Sequence, residues 1–117
     1  MDQPEYFYKT IIETVHDAIW VSNSDDIIIF ANHAMEKLSG LEREQIVGKN
    51  VLKDFSKETV REFKPYFNKV RRSLNPVDYE AEVLTPGGRN TSQKGWLLPL
   101  TEGGEFNGII CTIQDVT

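Results

Sequence analysis

Few side chains in this 117-residue chain are of the kinds that drive covalent chemistry, and their spacing argues against a catalytic site. The one cysteine, Cys111, lies in the apolar run Ile109–Ile113, and the sequence places no base for it. A thiol there is either a small buried hydrophobe or a redox sensor, because a nucleophilic thiolate needs a neighbouring cation or base. A single cysteine allows no intrachain disulfide and no cysteine-rich metal site. His16 and His33 are far apart, and no Cys–His or His–carboxylate spacing suits zinc. Glu80 and Glu82 share a strand face that alternation makes the polar one, and Asp25 and Asp26 are turn residues. The glycine-rich turns lack the Gly-Lys-Ser/Thr that cradles phosphate. No enzyme acting alone is expected from these residues.

What the chain offers instead is large apolar side chains with a few polar tips: Trp20, Met35, Phe55, Phe63, Phe67, Tyr79 and Cys111. Such residues wall small-molecule pockets. They also fill cores, since an aromatic side chain buries ~150–250 Å². The residues alone leave both readings open.

Several elements must position these side chains. Asp2, Pro4 and Glu5 suit a helix start, and Tyr8, Ile11, Ile12, Val15 and Ile19 fall at helical spacing. The helix gives way to a strand around Ala18–Ser22. Asn23-Ser24-Asp25-Asp26 turns the chain into a second strand, Ile27–Phe30, closing a hairpin. Asn32 caps a helix carrying Met35 and Leu38, and Gly40 suits its end. A strand that turns through an Asn cap into short helices leaves them lying over the sheet, which gives a helix-lidded concavity.

Glu42–Val47 holds at most two helical turns. Ser56 opens another helical stretch with Val60, Phe63, Phe67, Val70 and Leu74 on one face, and Pro65 predicts two pieces meeting near Lys64. Val77, Tyr79, Ala81 and Val83 then alternate with acidic residues in a half-buried strand. Strands follow around Lys94–Leu100 and Phe106–Val116, with Pro-Gly-Gly and Gly-Gly turns before each. In the last strand Cys111 shares the parity of Ile109 and Ile113, the side assigned to the interior. This order predicts one antiparallel sheet with helices on one face, an α+β domain.

Composition agrees. Hydrophobic residues are 39% and charged residues 26%, as in ordinary globular domains. A net charge of −5 disfavours a phosphate-tracking surface, and Lys69-Val70-Arg71-Arg72 reads as the solvated side of a helix, so no nucleic-acid partner is expected. No apolar run approaches the ~18 residues of a spanning helix, and the first residues do not form a signal sequence. The expectation is a cytoplasmic domain, or the cytoplasmic part of something longer, without direct membrane insertion.

The block Ile27–Gly48 with its Ala31-Asn32 junction, the Gly40 break and the Gly48-Lys49 end resembles the PAS sensor fold. The far end, Gly95-Trp96-Leu97-Leu98-Pro99-Leu100, Gly103-Gly104 and Gln114-Asp115-Val116-Thr117, resembles the family's last two strands. The resemblance implies a five-stranded antiparallel sheet in the order 2-1-5-4-3, with helices over a small cavity. It implies a flanking helix over residues 1–16, a sensor domain over 17–117 and a homodimer through that helix. It also implies a linker after Thr117 to a covalently joined output domain, a histidine kinase or diguanylate cyclase foremost. One departure lies in the first hairpin, where the family often has Asp-Gly and this chain has Asp25-Asp26; a changed turn backbone is expected there.

The resemblance also allows cofactors to be tested. In flavin photosensors the block continues Gly-x-Asn-Cys, whereas here it continues Gly48-Lys49-Asn50-Val51, so the adduct-forming thiol is replaced by Val51. The glutamine that reads the flavin falls at Ile113, with Gln114 beside it on the other face. Haem sensors take a histidine from the helix before the third strand, and Lys57–Leu74 contains none. The residues implied for the cavity wall are therefore Trp20, Met35, Phe55, Phe63, Phe67, Tyr79, Cys111 and Ile113, around a ligand of unknown identity.

Overall fold

The computed structural model describes residues 16–117. Strands β1 (Ala18–Asn23) and β2 (Ile28–Ala31) form the first hairpin. Four short helices follow: α1 (His33–Ser39), α2 (Arg43–Ile46), α3 (Lys57–Arg61) and α4 (Lys64–Ser73). Three long strands, β3 (Val77–Leu84), β4 (Asn90–Glu102) and β5 (Glu105–Asp115), complete the chain. All pairings are antiparallel, in the order β2-β1-β5-β4-β3. The predicted α+β architecture and strand order are thus observed. The expected N-terminal helix falls outside the described residues; Ile19, placed in its stripe by spacing, belongs to β1.

Local chemistry explains most boundaries. Asn32 is the N-cap of α1, accepting from the Met35 N–H at 3.0 Å. Gly40 ends that helix at φ 77°, in the left-handed region open to glycine. Glu42 and Gln45 form a capping box on α2, and Ser56 caps α3. The helical stretch does divide near Lys64, but Pro65 starts the second piece rather than breaking a ladder. In the first turn of α4 its missing N–H leaves no bond unmade.

Three expectations need correction. Strand β2 begins at Ile28, because Ile27 bridges to Asn50 instead. Strand β4 runs from Asn90 to Glu102, well beyond Lys94–Leu100, because β3 pairs its first part, Asn90–Leu97, and β5 its later part, Gln93–Glu102. The β1–β2 turn keeps a backbone suited to glycine without one: Asp26 takes φ 66°. Two N–H groups bonded to the Asn23 carboxamide oxygen brace it, together with the Val51 N–H donated to the Asp26 carbonyl at 2.9 Å. The Asp26 carboxylate pairs with Arg71, whose guanidinium stacks 4.3 Å from the Phe106 ring centroid.

The core lies between the sheet and the helices, where Trp20, Ile28, Leu38, Ile46, Phe67, Val70, Tyr79, Leu97, Ile109 and Ile113 are buried. On the sheet, Ile29 and Trp96 remain exposed. No described helix is long and apolar enough to cross a membrane.

Candidate functional site

An aromatic cluster organises the space under the helices. Trp20 on β1 stacks on Phe63 with centroids 5.8 Å apart and on Phe67 at 6.4 Å. Tyr79 on β3 meets Phe63 and Tyr66 edge-on, at 6.2 and 5.2 Å. The helical period puts Phe63, Tyr66 and Phe67 on one side of the α4 start, and strand alternation turns Tyr79 inward with Val77 and Val83. This cluster closes the interior between α4 and the sheet.

Beyond it, toward α1, α2 and α3, a hollow of about 70 Å³ remains. Its apolar wall includes Trp20, Ile28, Met35, Leu38, Leu41, Ile46, Val51, Phe55, Val60, Phe63, Tyr79, Val83 and Ile113. Ser39, Thr59, Thr85 and Gln93 add hydroxyls and one carboxamide, and no charged residue among those described lines it. At its rim the β3–β4 turn is fastened to the end of α1, with the Gly87 N–H donated to the Ser39 carbonyl at 2.8 Å.

Six of the eight residues inferred for a cavity wall therefore surround one hollow: Trp20, Met35, Phe55, Phe63, Tyr79 and Ile113. Phe67 and Cys111 do not. Phe67 is completely buried behind Trp20 and Phe63, and its ring fills volume rather than bordering space. Cys111 sits in the middle of the sheet, paired with Trp20 on one side and Leu97 on the other. Burial pushes its thiol far above the ordinary range, so it is neutral and non-nucleophilic. Right parity put Cys111 on the inner face, but inner face and hollow are not the same place.

Sequence reasoning missed Gln93. It is buried, accepts from the Tyr79 hydroxyl at 2.9 Å, and donates to the Thr91 hydroxyl oxygen at 3.0 Å. The available signal was parity, since Thr91 and Gln93 share the face of Leu97. Their polarity inside Asn90–Lys94 masked it. Tyr79 loses its proton far less readily than an ordinary phenol, chiefly because it is buried, and remains a neutral donor.

A flavin does not fit this wall. Val51 is buried and presents only methyl groups to the hollow, and the volume is less than half the ~150 Å³ of an apolar cavity that admits benzene. Among the described residues the wall offers apolar surface, hydroxyls and one carboxamide, an arrangement that can enclose a small molecule.

The end of β5 is tied down separately. Asp115 accepts from both the N–H and the hydroxyl of Thr117 and pairs with Arg89 at 3.0 Å. Val116 and Thr117 in turn bond the backbone of Ser92 on β4.

Comparison with known proteins agrees with the topology. No curated protein matches the sequence. Among solved structures, the PAS domain of a protein from Colwellia psychrerythraea is similar at 20% identity and a TM-score of 0.81, over 97% of this chain and 98% of that one. The PAS domain of Bordetella pertussis BvgS is similar at 23% identity and a TM-score of 0.77, over 100% of this chain and 88% of that one. A PAS domain from a two-component sensor histidine kinase is similar at 16% identity and a TM-score of 0.73, over 98% and 99%. A family model of the PAS fold matches residues 6–116, and with that span the chain belongs to the PAS family of signal-sensing modules.

Proposed function

We propose that this domain is the sensor of a larger cytoplasmic signal-transduction protein, with a histidine kinase or diguanylate cyclase as the leading output. A small molecule enters the hollow and favours one of two arrangements of the sheet and its flanking helices. Only the difference in its affinity for the two can carry a signal. Residues 1–16 act as a flanking helix beside a sensor domain over 17–117, and an output domain follows Thr117.

One observation supports this reading above the others. The hollow and the tied strand end share β5, because Ile113 lines the hollow two residues before Asp115. A ligand pressing on Ile113 therefore acts on the strand that leads to the output side. The fold likeness to a PAS domain from a two-component sensor histidine kinase supports the choice of output. Native mass spectrometry of the purified 117-residue chain tests the reading. A non-covalent adduct of constant mass, lost on unfolding, is the expected result; chain free of adduct from several expression hosts counts against a resident ligand.

The exposed Ile29 and Trp96 favour a second reading, a ligand-free dimerisation module using residues 1–16. Solution mass with and without those residues tests the second reading. A dimer that becomes monomeric on their removal supports the second, and a monomer in both cases excludes it.

A further inference from the structure

The hydrogen bonds around Gln93 have a fixed direction. The Thr91 hydroxyl gives its proton to the Val83 carbonyl at 2.9 Å, so toward Gln93 it can only accept. The carboxamide nitrogen therefore faces Thr91, at 3.0 Å, and its oxygen faces Tyr79, which donates at 2.9 Å. Each member is buried. By the donor inventory, Gln93 keeps one amide proton that no described group accepts. A second donor in the wall is also unspent: the Thr85 hydroxyl accepts from the Arg89 N–H at 3.1 Å and donates to no described group. A buried N–H without an acceptor costs more than an oxygen with a spare lone pair.

Resting on the reading of the hollow as a sensing pocket, we propose that it takes an uncharged molecule smaller than benzene, apolar over most of its surface, with one hydrogen-bond acceptor that meets the spare amide proton of Gln93. Among the described residues the wall contains no cation to pair a carboxylate or phosphate and no anion to pair an amine. An ion entering it loses its water without compensation, whereas a neutral ketone or ether loses little. The apolar remainder of the ligand faces Met35, Leu38, Phe55 and Ile113. At about 70 Å³ the space suits a compact molecule with few heavy atoms.

Acetone and acetate have nearly the same shape and differ in charge, so they make the test. Each is titrated into the full chain and followed by NMR at the Gln93 side-chain amide and the methyls of Met35 and Ile113, with xenon and benzene as controls. Acetone is expected to shift these resonances saturably and to give contacts between its methyls and the Gln93 amide protons, while acetate leaves them unmoved. Gln93→Met is expected to weaken acetone about 3- to 10-fold, the worth of one neutral hydrogen bond, without changing xenon uptake. If that variant does not fold, the acetone–Gln93 contacts in the natural chain decide the matter. Acetate or benzene binding as tightly as acetone overturns the proposal. Xenon entering where acetone does not overturns it too, but leaves a ligand-accepting pocket. If neither enters, the pocket reading itself falls.

Discussion

Asn32 joins three parts of the chain through one carboxamide. Its oxygen accepts from the Met35 N–H at 3.0 Å and the Ile19 N–H at 2.9 Å, while its nitrogen donates to the Asp17 carbonyl at 2.9 Å. Its role as helix cap was legible in the sequence, because a cap is a local arrangement. The bonds to Ile19 and Asp17 were not, because they span 13 and 15 residues. Replacing Asn32 with Ala removes the cap and leaves the buried Ile19 N–H of β1 and the partly buried Asp17 carbonyl without this partner, so a loss of ~2–4 kcal/mol is expected from urea unfolding. Asn32→Asp keeps both acceptor roles but cannot donate to Asp17, and should fall between the two. An alanine variant within 0.5 kcal/mol of the natural chain (roughly the size of a surface substitution) would refute this account.

At the scale of elements, the closure of the hollow depends on two turns meeting backbone to backbone. A Cβ placed on Gly87 would lie 2.8 Å from the Ser39 carbonyl oxygen and 3.0 Å from the Gly40 Cα. Both obstacles are main chain and cannot rotate away. Gly87→Ala is therefore expected to push the β3–β4 turn off the end of α1, costing ~1–3 kcal/mol. Faster amide exchange at Gly87, whose N–H bonds Ser39, is the local signature; unchanged exchange would show that the contact does not hold the rim shut. Thr85-Pro86-Gly87-Gly88 was readable as a turn from its composition. Its attachment to Gly40 was not, since nothing in either segment specifies the other. The length of β4 escaped for a similar reason, because its polar first residues are held as strand by pairing with β3.

Over the whole molecule, two carboxylates hold connections that acid should loosen. Glu36 on α1 accepts from the backbone N–H of Arg43, which opens α2, at 2.7 Å. That bond, followed by His33, holds its pKa below the ordinary 4.5. The hydroxyl and N–H of Thr117 hold Asp115 below the ordinary 3.8. A group depressed in the folded state contributes stability above its unfolded pKa and loses it as pH falls through the folded value. Asp26 has the opposite sign: burial raises it against the pull of Arg71, so its contribution is lost as pH rises through its folded value. Through Glu36 and Asp115, stability should decline as pH drops from about 5 to about 3, with Asp26 opposing them. Urea midpoints across that range check this, and Glu36→Gln with Asp115→Asn should remove most of the slope; an unaltered slope in the double variant would assign acid sensitivity elsewhere.

By itself the sequence determined the order of the elements, the caps, the sheet topology through its PAS likeness, and the valine that stands where flavin photosensors carry a thiol. These rest on periods of two and 3.6 and on turn residues acting within a few positions of one another. Only the tertiary structure decided which aromatic residues border space and which consume it. A hollow is the volume left when side chains from distant segments have packed, so Phe67 and Phe63, alike in sequence, end on different sides of the wall. The same packing buried Gln93 beside Tyr79 and turned a polar stretch of strand into the one carboxamide of an uncharged pocket.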